Sequence, residues 1–150
     1  MTERILLSLD GSATEGDGAE TTDRAEATDR AINHALASAE RTGATVHALY
    51  VVDTGRYGEP ALSSAEIFVD DAEDAGHELL AAVDRRGRER DIVVRTRCCH
   101  GRPNEELPAY AAEIDADAVV LAGRRRPGRV RRELERVADT VVAPGALVGG

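Results

Sequence analysis

Two apolar runs of this chain end in residues that suit the binding of a small polar ligand. The first run, Ile5–Leu9, leads into Asp10 and Gly11, and the second, Ala118–Ala122, leads into Gly123. Both runs read as buried strands, and the carboxyl ends of parallel strands form the edge of an open sheet where ligands bind. Asp10 could accept hydrogen bonds from a ribose or an adenine; alternatively, it caps the turn that follows it.

The second run continues into a cluster of arginines. Residues 124–136 hold seven arginines and two glutamates, a net charge of +5, so the rest of the chain carries −14. The cluster proper comprises Arg124, Arg125, Arg126, Arg129, Arg131 and Arg132. Guanidinium groups bind phosphate oxygens through charge-assisted hydrogen bonds, which predicts an anion site. The other interpretation is a solvated face paired with acidic residues, or a patch that meets an acidic protein partner.

The length and the net charge of the chain limit the functions that it can have. The 150 residues suit one domain, 1–150, and the net charge of −9 disfavours a general nucleic-acid binder. No apolar run approaches the ~20 residues of a membrane span, so we expect a cytoplasmic protein without a membrane partner. All 19 basic residues are Arg. A lysine-free acidic surface suits a halophilic cytoplasm, whereas GC-rich coding would also remove Lys, and both explanations stay open.

The adjacent residues Cys98, Cys99 and His100 do not form a metal or redox centre. Neighbouring residues of a strand point to opposite faces, so they cannot converge on one tetrahedral ion, and an unstrained disulfide between the two cysteines is not expected. We predict free thiols. No serine or histidine pattern indicates a nucleophile with its base, so an enzyme is not supported by the sequence.

The alternation of apolar runs with helical patterns predicts an α/β fold, an open parallel sheet with helices on both faces. The predicted strands are Arg4–Leu9, Ala44–Val52, Ile92–Cys99, Ala118–Ala122 and Ala146–Val148. The third alternates with Arg95 and Arg97, which predicts an edge strand with one wet face.

Three helices are predicted between these strands. The first has Thr28 as its N-cap and stops at Gly43, and residues 11–22 ahead of it are predicted to be a mobile loop. The second runs from Ser64 to Arg90, weakened by two internal glycines. The third begins at Asn104 as N-cap.

Several motifs together resemble the universal stress protein family over most of the chain. The first strand with its Asp-Gly-Ser turn, Ile5–Ser12, is similar to the family's first strand, and Leu49–Asp53 to its second. The stretch from Cys99 to Arg124 resembles the family's Gly-x-Pro turn, its third helix, and its Ala-Asp pair before a strand that ends in Gly. The order and spacing of these motifs make the resemblance specific.

The resemblance implies a Rossmann-like sheet of five strands in the order 3-2-1-4-5 and a homodimer formed through the last strand. In members that bind ATP, with Mg²⁺, the Asp of the first strand and the Val of the second strand hold the adenosine. Asp10 and Val51 correspond to these two residues here. Ser8 and Ala122 lie beside these positions. A motif Gly-x2-Gly-x9-Gly-Ser/Thr wraps the phosphates, and its first glycine corresponds to Gly123.

The phosphate motif is interrupted in this sequence. Its second glycine falls on Arg126, and its final Gly-Ser/Thr falls on Arg131 and Arg132 when the following helix is aligned on Leu134–Val137. Arginine cannot bring the backbone close to phosphate as glycine does. The leading interpretation is a small stress-response binding and signalling module whose ATP binding is degenerate or lost, with no cofactor. The alternatives are an ATP-binding switch with slow hydrolysis, in which the arginines replace the glycines, and a structural dimer that docks an acidic protein.

Overall fold

The computed structural model describes residues 3–9, 19–53, 63–122 and 127–143. In the second range, side chains are described from residue 26 onward, and in the third range from residue 72 onward. Strands and helices alternate in the chain: β1 (Arg4–Leu9), α1 (Ala19–Thr42), β2 (Thr45–Asp53), α2 (Ser63–Glu89), β3 (Val94–Gly101), α3 (Pro103–Glu113), β4 (Ala118–Leu121), α4 (Gly128–Val137) and β5 (Thr140–Val142). The strands form one parallel sheet in the order β3-β2-β1-β4-β5, which confirms the predicted architecture.

Each face of the sheet packs on its own pair of helices. The larger apolar layer combines Leu7 and Tyr50 with residues of α1 and α2, and the smaller one combines Leu6 and Leu49 with residues of α3 and α4. Adjacent strand residues enter different layers because side chains alternate along a strand. Cys98 packs on the first layer and Cys99 on the second, and both are free thiols, as predicted.

The two glycines of α2 are explained by the sheet beneath them. A Cβ on Gly76 would lie 2.5 Å from the ring of Tyr50, and a Cβ on Gly87 would lie 2.3 Å from Val94 Cγ2. Glycine at these positions therefore lets the helix approach β2 and β3 closely, which outweighs its low helix propensity.

Two predicted helix starts are wrong. The first helix begins at Ala19, so residues 19–22 of the predicted 11–22 loop are helical and Thr28 is a buried residue inside the helix instead of its N-cap. Residues 11–18 lie outside the described residues. The apolar stripe begins only after the first two turns, so amphipathicity did not reveal them. The predicted stop at Gly43 is confirmed: its φ is +75° and its N–H donates to Ala39 O.

The N-cap of α3 is Arg102, with Pro103 as the first helical residue, so Asn104 lies one residue inside the helix. Proline suits that first position because its ring presets φ and the missing N–H has no helical partner there.

The fifth strand also differs from its prediction. The sheet ends with Thr140–Val142, which pairs with β4 through Ala118 and Thr140, Val119 and Val141, and Val120 and Val142. The predicted strand Ala146–Val148 lies outside the described residues. The strand that follows α4 thus lies earlier in the chain than the apolar pattern indicated.

Candidate functional site

The carboxyl edge of β1 and β4 carries two of the predicted site residues. Ser8 and Ala122 are both buried, and the backbone N–H of Ala122 donates to Ser8 O at 2.9 Å. This hydrogen bond continues the pairing of the two strands beyond the last register pair, Ser8 with Leu121. Ser8 and Ala122 therefore adjoin each other where the predicted ligand would enter.

Val51 lies on the neighbouring strand and is also buried. It follows Tyr50, which pairs with Leu9 at the end of β1. The structure thus places Ser8, Val51 and Ala122 on three adjacent strands near one edge. Three further predicted residues, Asp10, Gly123 and Arg126, lie outside the described residues.

The two arginines that align with the end of the phosphate motif lie in a helix. Arg131 and Arg132 belong to α4, which begins at Gly128 with Pro127 as N-cap. Arg131 is half-buried and its Nη2 donates to the carbonyl of Val141 at 3.5 Å, while Arg132 is exposed.

The amino end of α4 has the electrostatic properties of an anion site. Its first turn contains no acidic residue and includes Arg129, which is exposed. Unpaired N–H groups and the helix dipole place a partial positive charge at such an end. A Cβ on Gly128 would meet no atom of the described residues within 4 Å, so this part of the structure leaves the backbone open to a close ligand.

The amino end of α3 differs, although it meets the same edge of the sheet. Its first turn carries Glu105 and Glu106, whereas the first turn of α4 has no acidic residue. Two carboxylates oppose a second anion there. Gly101, just before it, has a φ of +152°, and a Cβ would lie 2.7 Å from Glu106 Oε1. This arrangement disfavours a phosphate group at α3 and leaves α4 as the more open of these two helix ends.

The thiols near the same edge are not activated, because their surroundings disfavour the thiolate form. Burial, followed by the charge of Glu73, raises the pKa of Cys98; burial, followed by Glu106, raises the pKa of Cys99, and Arg97 opposes that effect. His100 Nε2 contacts Glu73 Oε1 beside them. Within the described part of the chain, no group of three or more His, Cys, Asp or Glu could hold a metal ion.

Sequence reasoning missed one cluster altogether. A cavity of about 890 Å³ opens at the amino edge of the sheet, lined by residues that include Arg4, His47 and Arg95. Part of this cluster is visible in the sequence, because His47 interrupts the apolar second strand. His47 pairs with Arg95 on the third strand.

The chain matches known proteins over most of its length. Residues 21–144 match the model of the universal stress protein family. A universal stress protein of Methanocaldococcus jannaschii is 30% identical over 122 residues, which cover 81% of this chain and 72% of that protein.

Solved structures share the fold. Universal stress protein UspA from Lactobacillus plantarum superposes with a TM-score of 0.71 at 22% identity, covering 93% of this chain and 95% of that one. A universal stress protein from Archaeoglobus fulgidus in complex with dAMP gives a TM-score of 0.53 at 19% identity, covering 93% and 95%. None of the described helices is long and apolar enough to cross a membrane. From its matched residues and its relatives, the chain belongs to the universal stress protein family.

Proposed function

We propose that this universal stress protein is a cytoplasmic binding module that takes an adenine nucleotide at the carboxyl edge of its sheet, with the phosphates at the amino end of α4. The observation that carries the proposal is the start of α4 at Gly128, with no acidic residue in its first turn. Backbone N–H groups at such an end bind phosphate, and the open space over Gly128 allows the approach.

The arginines of α4 supplement this helix end. Arg129 and Arg132 are exposed and make no hydrogen bond or ion pair with another described residue, whereas Arg131 donates to Val141 O. Two guanidinium groups thus stand within the first turns of the helix. Arg126 and Gly123 remain proposed contacts from the loop before it.

Family membership supports the choice of an adenine nucleotide. The Archaeoglobus fulgidus relative is a complex with dAMP. Ser8, Val51 and Ala122 line up here on three adjacent strands at the edge that parallel sheets use for nucleotides. We propose that these residues and Asp10 contact the nucleoside, and that Mg²⁺ accompanies ATP.

Recognition is proposed in place of catalysis because of the groups supplied. Backbone N–H groups and arginine side chains donate hydrogen bonds, but neither accepts a proton from an attacking water. Slow hydrolysis of bound ATP would require a proton-accepting group in addition to these donors.

Isothermal calorimetry with ATP and Mg²⁺, and with AMP, at low and at multimolar salt, tests the proposal. We expect saturable ATP binding that Arg129→Gln weakens roughly tenfold, since a hydrogen bond to a charged group contributes about 1.5–3 kcal/mol. AMP binding should change less. Arg136→Gln, in the last turn of the same helix, is the matched control.

Absence of heat under every condition would overturn the proposal and leave the interpretation in which nucleotide binding is lost. Equal weakening by Arg129→Gln and Arg136→Gln would show that only net charge matters. In that case the arginines are better explained as a patch for an acidic protein, whose association would fall with salt.

We further propose that a second copy of the chain pairs with β5. This strand ends the sheet, and Val141 and Val142 are half-buried in it. An edge strand of three residues offers few hydrogen bonds, so the dimer should be modest in affinity. Sedimentation that shows only monomer at roughly tens of micromolar would contradict this pairing.

A further inference from the structure

The cavity at the amino edge lies at the other end of the strands from the proposed nucleotide site. It is bounded by the starts of β1, β2 and β3 and by the end of α3, and its volume of about 890 Å³ falls in the range of small-molecule sites, roughly 300–1,000 Å³. Its ionisable lining residues are Glu3, Arg4, His47, Arg95, Asp115 and Asp117.

Strand register brings these side chains to one face. His47 pairs with Arg95 across β2 and β3, and Leu6 pairs with His47 across β1 and β2. Leu6 belongs to the layer under α3 and α4, so His47, Arg95 and also Arg4, two residues before Leu6, lie on that same face. Arg95 stays exposed on the outermost strand, where the cavity opens.

Local interactions already occupy part of the lining. The backbone N–H of Arg4 donates to Asp117 Oδ2 at 2.8 Å, and Arg4 Nη1 donates to the carbonyl of Ile114 at 2.7 Å. These bonds tie the start of β1 to the end of α3 and to the residue before β4. Arg4 and Asp117 are therefore structural walls of the cavity.

The other charges face the cavity without pairing. Among the described residues, the side chains of Arg95, Glu3 and Asp115 make no hydrogen bond or ion pair, although all three line the same space. These charges of opposite sign line one cavity more than 4 Å apart, so they do not neutralise each other by direct contact. A ligand that carries both charges can bridge them.

His47 adds an uncharged polar group between these charges. Burial, followed by the charges of Arg4 and Arg95, lowers the pKa of His47, so the ring is neutral near pH 7 and can both donate and accept a hydrogen bond. The ring also meets the edge of Tyr110 at 6.4 Å between centroids, which holds one wall in place.

We infer that this cavity binds a small zwitterion of the amino-acid class, with its carboxylate on Arg95 beside His47 and its ammonium between Glu3 and Asp115. A simple anion would meet three carboxylates, and a simple cation would meet two guanidinium groups. Only a molecule with both charges is attracted by each part of the lining. The site is independent of the nucleotide proposal because it uses none of the same residues.

Backbone amide NMR titration of the full chain tests the inference with three probes of increasing charge separation: glycine, 4-aminobutyrate and 6-aminohexanoate. Hexanoate and hexylamine are the matched single-charge controls for the longest probe. We expect saturable shifts at residues 45–47, 95 and 114–117, with a zwitterion bound at least roughly tenfold more tightly than either control.

Two variants test the two ends of the ligand separately. Arg95→Gln and Asp115→Asn should each weaken binding roughly tenfold, while Arg136→Gln on α4 should leave it unchanged. Asparagine tolerates the left-handed backbone of Asp115, where φ is 52°, so the second variant keeps the turn.

Several outcomes would overturn the inference: no saturable shift with any zwitterion at roughly tens of millimolar, equal binding of hexanoate, or equal effects of Arg95→Gln and Arg136→Gln. Retained ATP binding in the Arg95→Gln protein would show that the two sites are separate. Failure of ATP binding in the wild-type protein would leave the zwitterion test unaffected.

Discussion

The two edges of the sheet offer different chemical groups to a ligand. At the carboxyl edge, buried apolar or small residues such as Val51 and Ala122 lie near the strand ends, and the backbone at the start of α4 adds positive character. At the amino edge the strands themselves carry charges, as Arg4 and Arg95 show. The first edge combines main-chain N–H groups with the arginines of α4, whereas the second depends on charged side chains of the strands.

This difference follows from where helices can lie. Each helix begins at the carboxyl edge after its strand and ends at the amino edge, so amino ends with free N–H groups collect at one edge only. The amino edge receives helix carboxyl ends, which attract cations such as Arg4, whose guanidinium bonds Ile114 O just beyond α3. The edges should therefore respond to different substitutions.

The largest expected effect is a loss of stability on substitution of a residue in the middle of β1. Leu6 is fully buried between Arg4 and Ser8 on β1, and Leu6→Ala should lower the free energy of unfolding by roughly 3–5 kcal/mol because a cavity remains. Urea denaturation measures this loss. Leu79→Ala, at a half-buried position of α2, should cost clearly less, and equal losses would contradict the assigned packing.

A change at Gly128 should separate stability from binding. Gly128→Ala should leave the free energy of unfolding unchanged or raise it by up to about 1 kcal/mol, because alanine favours helix and its Cβ would meet no atom of the residues that the structure describes. The same methyl group should weaken ATP binding roughly tenfold by blocking the backbone. Calorimetry and thermal unfolding of one preparation measure both. Unchanged ATP affinity would show that phosphate does not reach this helix end.

The smallest expected effect is a pH dependence at the amino edge. The lowered pKa of His47 means that the unfolded chain binds a proton more readily than the folded chain below its ordinary value of 6.5. Stability should therefore be full above about pH 6.5 and fall as pH drops toward the folded pKa, with stability rising with pH in that window. Burial is the main cause of the lowered pKa of His47, followed by the charges of Arg4 and Arg95, and Glu3, Asp115 and Asp117 face the same cavity.

His47→Gln should flatten this slope relative to the wild-type protein, as read from urea midpoints between about pH 5 and 7. His34→Gln, on an exposed position of α1, is the matched control and should leave the slope as it is. A slope that survives His47→Gln would assign the pH dependence to another group.

Much of the fold could be predicted from residue patterns, and the failures share a cause. Apolar runs located β1, β2, β3 and β4, and the alternation around Arg95 correctly indicated an edge strand. The start of α1 was missed because its first turns are polar, and β5 was placed too late because a short partly exposed strand has a weak pattern. Such elements are held by neighbours distant in sequence.

In the candidate site, too, some residues could be placed from the sequence and others could not. Ser8, Val51 and Ala122 could be placed near the carboxyl ends of their strands from the sequence, because the resemblance to the family aligns these apolar strands. The contact of Arg131 could not, since the distance from this arginine to Val141 O depends on how α4 packs beside β5.

The sequence by itself determined the alternation of strands and helices, the family, and the free thiols on opposite faces, because periodicity and local backbone chemistry act over a few residues. Tertiary structure alone decided that Gly76 lets α2 approach Tyr50 and that His47 and Arg95 share a cavity with Asp115. Those relations join residues far apart in the chain. Strand register and close packing create these contacts, and neither can be predicted from a local sequence pattern.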